Sequence, residues 1–197
     1  MSKLADDLEA RLAATAPSGV QYSRKTDAKG VTTAWCRLAN HAELLPVASL
    51  LKREGARLST ITILQPKAPP APPAKEGETL ELPTFFGGVV HDGKSFEISY
   101  HFDVDGDTLT LVVHVAHGGQ VASLTPLYRC ADWPEREMME LYSIVVHAHP
   151  DPRRLFIDPS IDGAVLERLI PFSALANSAT TKGLWEQILA QTGSKQP

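Results

Sequence analysis

Between Asp132 and Asp158 the chain reads DWPEREMMELYSIVVHAHPDPRRLFID, and most of its chemically capable side chains are gathered there. Glu135 and Glu137 could act as a general acid and base. Positions two apart on a helix do not face each other, however, so helix-end electrostatics and pairing with an arginine suit them better. His147 and His149 alternate; on a strand both would face one way and could hold a metal, with His114 and His117 as further ligands. No cysteine or acid pair stands beside them at ligand spacing, which favours solvated or core histidines. Arg153 and Arg154 offer planar donor forks suited to phosphate or carboxylate. Without a glycine-rich loop nearby, carboxylates are the better match, on a partner or within the chain. Ser123, Ser143 and Ser173 lack the strand–turn–helix setting of a nucleophile. No catalytic, cofactor-binding or metal-binding residue is assigned.

These residues need elements to hold them. Asp132 is a candidate helix cap, Pro134 is tolerated in a first turn, and Glu135 follows three residues after the cap, as in a capping box. Met138, Leu141 and Tyr142 then share an apolar face, while Arg136, Glu137 and Glu140 point elsewhere. After the short apolar piece Ile144–Val146, Pro150 and Pro152 stiffen a turn from which the two arginines emerge. Such stiffening lowers the ordering cost of any interface made there.

Upstream, Leu4, Ala5, Leu8 and Leu12 recur at helical spacing. Val20–Arg24 and Val31–Leu38 look like strands joined by a hairpin-length loop. Asn40 is placed to cap a second helix, with Leu44, Val47, Leu50 and Leu51 on one face and Gly55 as its stop. Arg57–Gln65 alternates as a strand, setting Leu58, Thr60, Thr62 and Leu64 against Ile61 and Ile63. Phe96–Val104 and Thr108–Ala116 form a hairpin around Asp105–Gly106–Asp107, and Val121–Leu127 adds a short strand. This order implies α+β, two layers with helices packed on a mixed β-sheet. Residues 1–158 would form that domain, interrupted at 65–83 by a surface loop with five prolines within Pro66–Glu78. Residues 159–197 would form a partly helical extension. There, Leu184, Trp185, Ile188 and Leu189 could cover a neighbour or fold back. Trp35 and Trp133 read most simply as core or interface aromatics.

A net charge of −4 supplies no basic field for nucleic acid. No apolar run approaches the roughly 20 residues that span a bilayer, and the N-terminus carries acids where a secretion signal needs bases. Cys36 and Cys130 lack zinc or cluster spacing and fit a reducing cytoplasm, with a single disulfide left open.

Over roughly Ala42–Asp158 the sequence resembles the C subunit of the NADH:quinone oxidoreductase (respiratory complex I) family and its relatives in energy-converting [NiFe] hydrogenases. That family's pattern runs W-x-E-R-E, two residues, D-M-F-G-I, then G-H-P and R-R. Trp133, Glu135, Arg136, Glu137, Leu141, Ile144, His149, Pro150, Arg153 and Arg154 match it here, with Glu140 and Tyr142 as conservative replacements. Ser143 and Ala148 stand where the family usually has Gly, and Pro152 replaces a common Leu. The resemblance implies a cofactor-free scaffold docked on the large, hydrogenase-related subunit, with iron–sulfur subunits as neighbours. It also implies a cytoplasmic location, peripheral to the membrane through other subunits. Trp133, Glu135, Arg136, Glu137, Tyr142, His149, Pro150, Arg153 and Arg154 would then be interface or structural residues. A stand-alone metal- or His-dependent enzyme and a divergent regulatory binding protein are the alternative expectations.

Overall fold

A computed structural model of the protein describes residues 3–65 and 94–159. The expected proline-rich loop from Pro66 onward, the C-terminal extension beyond Pro159, Ser173 and the Trp185 helix lie outside the described residues. Every element given below falls within one compact unit that ends at Phe156.

Period-two alternation is cleanest in the long hairpin. β4 (Ser95–Val104) and β5 (Asp107–Ala116) pair antiparallel throughout, from Ser95 opposite Ala116 to Val104 opposite Asp107. Asp105 and Gly106, at φ 52° and 97°, form the two-residue turn whose twist matches the strands it joins. Phe96, Ile98, Tyr100 and Phe102 on β4 face the core beside Leu109, Leu111, Val113 and Val115 on β5. Each such side chain contributes about 1.5–3 kcal/mol by leaving water.

Around this hairpin a five-stranded sheet is completed by β1 (Val20–Thr26), β2 (Thr32–Leu38) and β3 (Arg57–Leu64), in the order β1-β2-β5-β4-β3. Among these strands only the β2–β5 pairing is parallel. The sheet's apolar face is covered by α1 (Leu8–Thr15) through Leu8 and Leu12, and by α2 (Leu44–Arg53) through Leu44, Val47, Ala48 and Leu51. Met138 of α3 (Asp132–Tyr142) joins the same cluster. The result is a two-layer α+β fold. Asn40 accepts the amide of Ala42 ahead of α2, and Gly55, at φ 81°, ends the chain's passage out of it, both as the sequence implies.

Two expectations fail for local reasons. β3 carries a register shift between Leu58 and Thr60, so Leu58 falls on the core side with Ile61 and Ile63 instead of opposite them. The strand expected over Val121–Leu127 stops at Ala122: β6 (Gln120–Ala122) pairs only with β7 (Val145–His147), in parallel. The segment beyond it is taken up by a side chain of α3, described below. Cys36 lies in the core, where burial pushes its thiol up to about 12, and Cys130 lies on the surface; both are free thiols. Among the described residues no helix is long and apolar enough to cross a membrane.

The sheet's other face has a polar ladder. His101 sits half-buried between Thr62 Oγ1 at 2.9 Å and Thr110 Oγ1 at 3.1 Å, bridging β3, β4 and β5. Burial lowers its pKa below the ordinary 6.5. The unfolded chain therefore takes up this proton first, and acid favours unfolding. The contribution is intact above about pH 6.5 and declines as pH falls from there toward the lower folded-state value. His101→Gln is expected to reduce the loss of stability between neutral and mildly acidic pH, read as a smaller shift in urea midpoint; an unchanged shift would assign the acid sensitivity to other groups.

Candidate functional site

α3 starts at Asp132 with Ala131 in the capping position, and no side chain caps it. The expected capping box is thus absent, because both carboxylates are engaged elsewhere. Glu135 has no solvent exposure. Its Oε1 accepts the Leu124 amide at 2.6 Å, and its Oε2 accepts the hydroxyls of Ser123 at 2.6 Å and Thr125 at 2.9 Å. Ser123 Oγ in turn accepts the amide of Thr125 at 3.1 Å. A buried carboxylate without such donors would be strongly destabilising; here the Ser123–Leu124–Thr125 segment wraps it. The Ser123 amide still donates to the His147 carbonyl at 2.9 Å, and pairing ends there, where Ala148 turns β7 away. Nearby, the fully buried Tyr100 phenol is pushed far above its ordinary pKa by burial and then by the Glu135 charge.

His149 completes the cluster. Its Nδ1 accepts the amide of Asp151 at 3.0 Å, which leaves the proton on Nε2. Nε2 then faces Thr125 Oγ1 at 3.4 Å, Asp132 Oδ1 at 3.5 Å and Glu135 Oε2 at 3.6 Å. Ser, His and acid lie together here, but Ser123 gives its proton directly to Glu135 and is buried. This is a tie between helix, loop and turn, with no exposed nucleophile. His147 and His149 do not share a face: Ala148, at φ 60°, turns the chain between them, leaving His147 exposed and His149 buried. His114 lies 3.3 Å from Glu97, and His117 stands against Phe96, so the four histidines are dispersed.

Beyond Pro150, Asp151–Phe156 runs as a strap along α3. Arg136 donates from Nε to the Arg153 carbonyl at 2.9 Å and from Nη2 to the Arg154 carbonyl at 2.8 Å. One turn on, Glu140 Oε2 accepts the amides of Leu155 at 2.7 Å and Phe156 at 2.8 Å. Four helical residues span roughly 6 Å, about the reach of two extended residues, so the two runs stay in step. The strap is gripped by its main chain. Its side chains turn outward: Arg153 is 81% and Phe156 57% exposed, beside Trp133 at 66%. Arg153 closes a two-pronged pair on Asp151, at 2.7 and 2.6 Å, and Arg136 adds a longer contact at 3.8 Å. The hydrogen bonds from Arg153 hold the Asp151 carboxyl far below its ordinary pKa.

The other expected residues fall around this core. Tyr142 packs edge-on against Phe96 with ring centres 5.7 Å apart, Glu137 is half-buried, and Pro150 is exposed at the turn. Sequence reasoning missed Ser123, Thr125 and Asp151 and gave Glu140 no task. The one available signal was the S-x-T spacing ahead of the helix.

The profile of the family described as "Respiratory-chain NADH dehydrogenase, 30 Kd subunit" matches residues 38–174. The chain belongs to this family. The C subunit of NADH-quinone oxidoreductase from Rhodopseudomonas palustris (strain TIE-1) is 36% identical over 80 residues, 40% of this chain and 39% of that one. Its counterpart in Caulobacter vibrioides is 34% identical over 80 residues, 40% and 41% of the two chains. The mitochondrial NADH-ubiquinone oxidoreductase 30.4 kDa subunit of Neurospora crassa is 42% identical over 53 residues, 27% and 19%. The chain thus spans about two fifths of the length of the bacterial relatives it matches.

The two positions at which the sequence pattern leads one to expect glycine carry strained backbone. Ser143, at φ 53°, and Ala148, at φ 60°, both occupy the left-handed region that glycine enters without steric cost. Ala148→Gly is expected to stabilise the protein by about 1 kcal/mol, with Ser143→Gly changing it in the same direction; a lower urea midpoint for Ala148→Gly would show that no strain resides there. The buried carboxylate gives the opposite expectation. Glu135→Ala strands three donors and opens a cavity, and should cost about 3–5 kcal/mol. Glu135→Gln, which keeps one acceptor and the volume, should cost about 1–3 kcal/mol; equal losses in the two variants, read by urea unfolding, would mean that packing rather than hydrogen bonding sets the energy.

Proposed function

We propose that the chain is a scaffold subunit of an NADH:quinone oxidoreductase-type complex, holding no cofactor of its own. It docks through Asp132–Phe156 on the large, hydrogenase-related subunit of the hydrophilic arm, with iron–sulfur subunits as neighbours. It reaches the membrane only through other subunits, on the cytoplasmic side. The observation that carries this reading is the strap. A segment clamped by its carbonyls and amides to Arg136 and Glu140 has its conformation set before any partner arrives, so little entropy is lost on docking. Exposed Trp133, Phe156 and Arg153 are the residue types that anchor interfaces. The bacterial relatives are named as subunits of NADH-quinone oxidoreductase, which favours the quinone oxidoreductase over the hydrogenase type of complex. The buried Glu135–His149 tie favours a structural role over a stand-alone enzyme.

Arg153→Ala combined with Arg154→Ala should leave the fold intact, since Arg136 holds these two residues by their main chain. Co-purification with the large subunit should fall about tenfold, as when a few side chains dominate an interface. If circular dichroism instead shows the double variant unfolded, the arginines are internal ties and the docking role fails for them.

A further inference from the structure

Beside the strap lies a notch of about 560 Å³ lined by Thr125, Pro126, Arg129, Asp132, Pro150 and Asp151. Its charges are unequally engaged. The Asp151 carboxylate is taken by Arg153 and faces Arg136, and Asp132 turns toward His149. Arg129 is exposed and, among the described residues, makes no ion pair or side-chain hydrogen bond, passing over Asp132 three positions on. The charge that the notch offers to solvent is therefore a guanidinium. Its walls include two prolines, which lose no backbone freedom on binding, and the next helical residue after Asp132 is the exposed Trp133.

We infer that this notch is an interaction surface for an acidic side chain of a protein partner, received by Arg129 while the partner's chain passes over Trp133. The inference rests on the docking reading above and extends it to a residue outside the family pattern. A guanidinium fork matches a carboxylate with two parallel hydrogen bonds, and an exposed tryptophan one residue beyond Asp132 offers a partner's chain further contact area. Continuity favours a segment that runs on rather than one that ends in the notch, because the exposed Trp133 directly follows Asp132 in the chain.

The test uses the full chain and the large subunit, with affinity measured by titration calorimetry at low and moderate salt. Arg129→Glu should weaken binding about tenfold or more and flatten its salt dependence, whereas Arg129→Lys should fall between it and the unaltered chain. Arg24→Glu, on β1, is the charge-reversal control and should bind normally. Urea midpoints establish that each variant folds, with Arg129→Gln in reserve if the reversal does not. Unchanged binding by Arg129→Glu, alongside loss in the Arg153/Arg154 double variant, would overturn the notch proposal and leave docking intact. If the unaltered chain fails to bind the large subunit, the docking reading fails first and the notch proposal with it. Titration of the free chain with inorganic phosphate should show no binding; phosphate binding abolished by Arg129→Glu would reassign the notch to free anions.

Discussion

A carboxylate with no access to water must be met by donors, and at Glu135 that requirement organises one end of the molecule. Its donors come from three consecutive residues between β6 and α3, and an imidazole reaches it from beyond β7. β6 and β7 are parallel, so the chain between them has to cross over, and α3 is that crossover. A two-stranded pair of three residues each would be marginal alone. Glu135 binds the crossover helix to the segment that enters it, and His149 binds the same helix to the segment that leaves. The small parallel unit is closed by side chains more than by its ladder.

The strap inherits its position from that closure. With His149 fixed at the start of α3, the chain is already aligned with the helix when it reaches Arg136 and Glu140. Those two side chains then hydrogen-bond to its main chain, one donating and the other accepting. In this division of labour, charged residues of α3 act inward on backbone and the strap's own side chains act outward. An exposed pair such as Arg153–Asp151 is weakened by water and salt, so Arg153 can exchange that partner for one on another protein at little cost.

How much of this the sequence discloses depends on whether the determinant is local. Alternation in β4 and β5, the Asp105–Gly106 turn and the apolar faces of α1 and α2 are set by neighbours in the chain, and all were legible. The register shift in β3 was not, because nothing within RLSTITIL marks where pairing with β4 slips. The capping reading of Asp132 and Glu135 failed for a related reason. The pattern suits a capping box, but Ser123, Thr125 and His149 offered these carboxylates tertiary partners that a local pattern does not contain. Resemblance singled out the segment as a whole; only the fold separates Glu135, which is buried, from Trp133, which is not.

Ser143 and Ala148 show what the anchors achieve. They bracket β7, one on each side, and both sit in left-handed backbone that favours glycine. Such conformations cost of order 1–3 kcal/mol each and persist where the surroundings over-determine them. The surroundings here are the donors around Glu135 on one side and the main-chain grips of Arg136 and Glu140 on the other. Side chains at these two positions therefore strain the path of the chain without redirecting it. What this surface offers a partner then lies in side chains that face outward, such as Arg129, Pro152 and Trp133, rather than in the backbone that carries them.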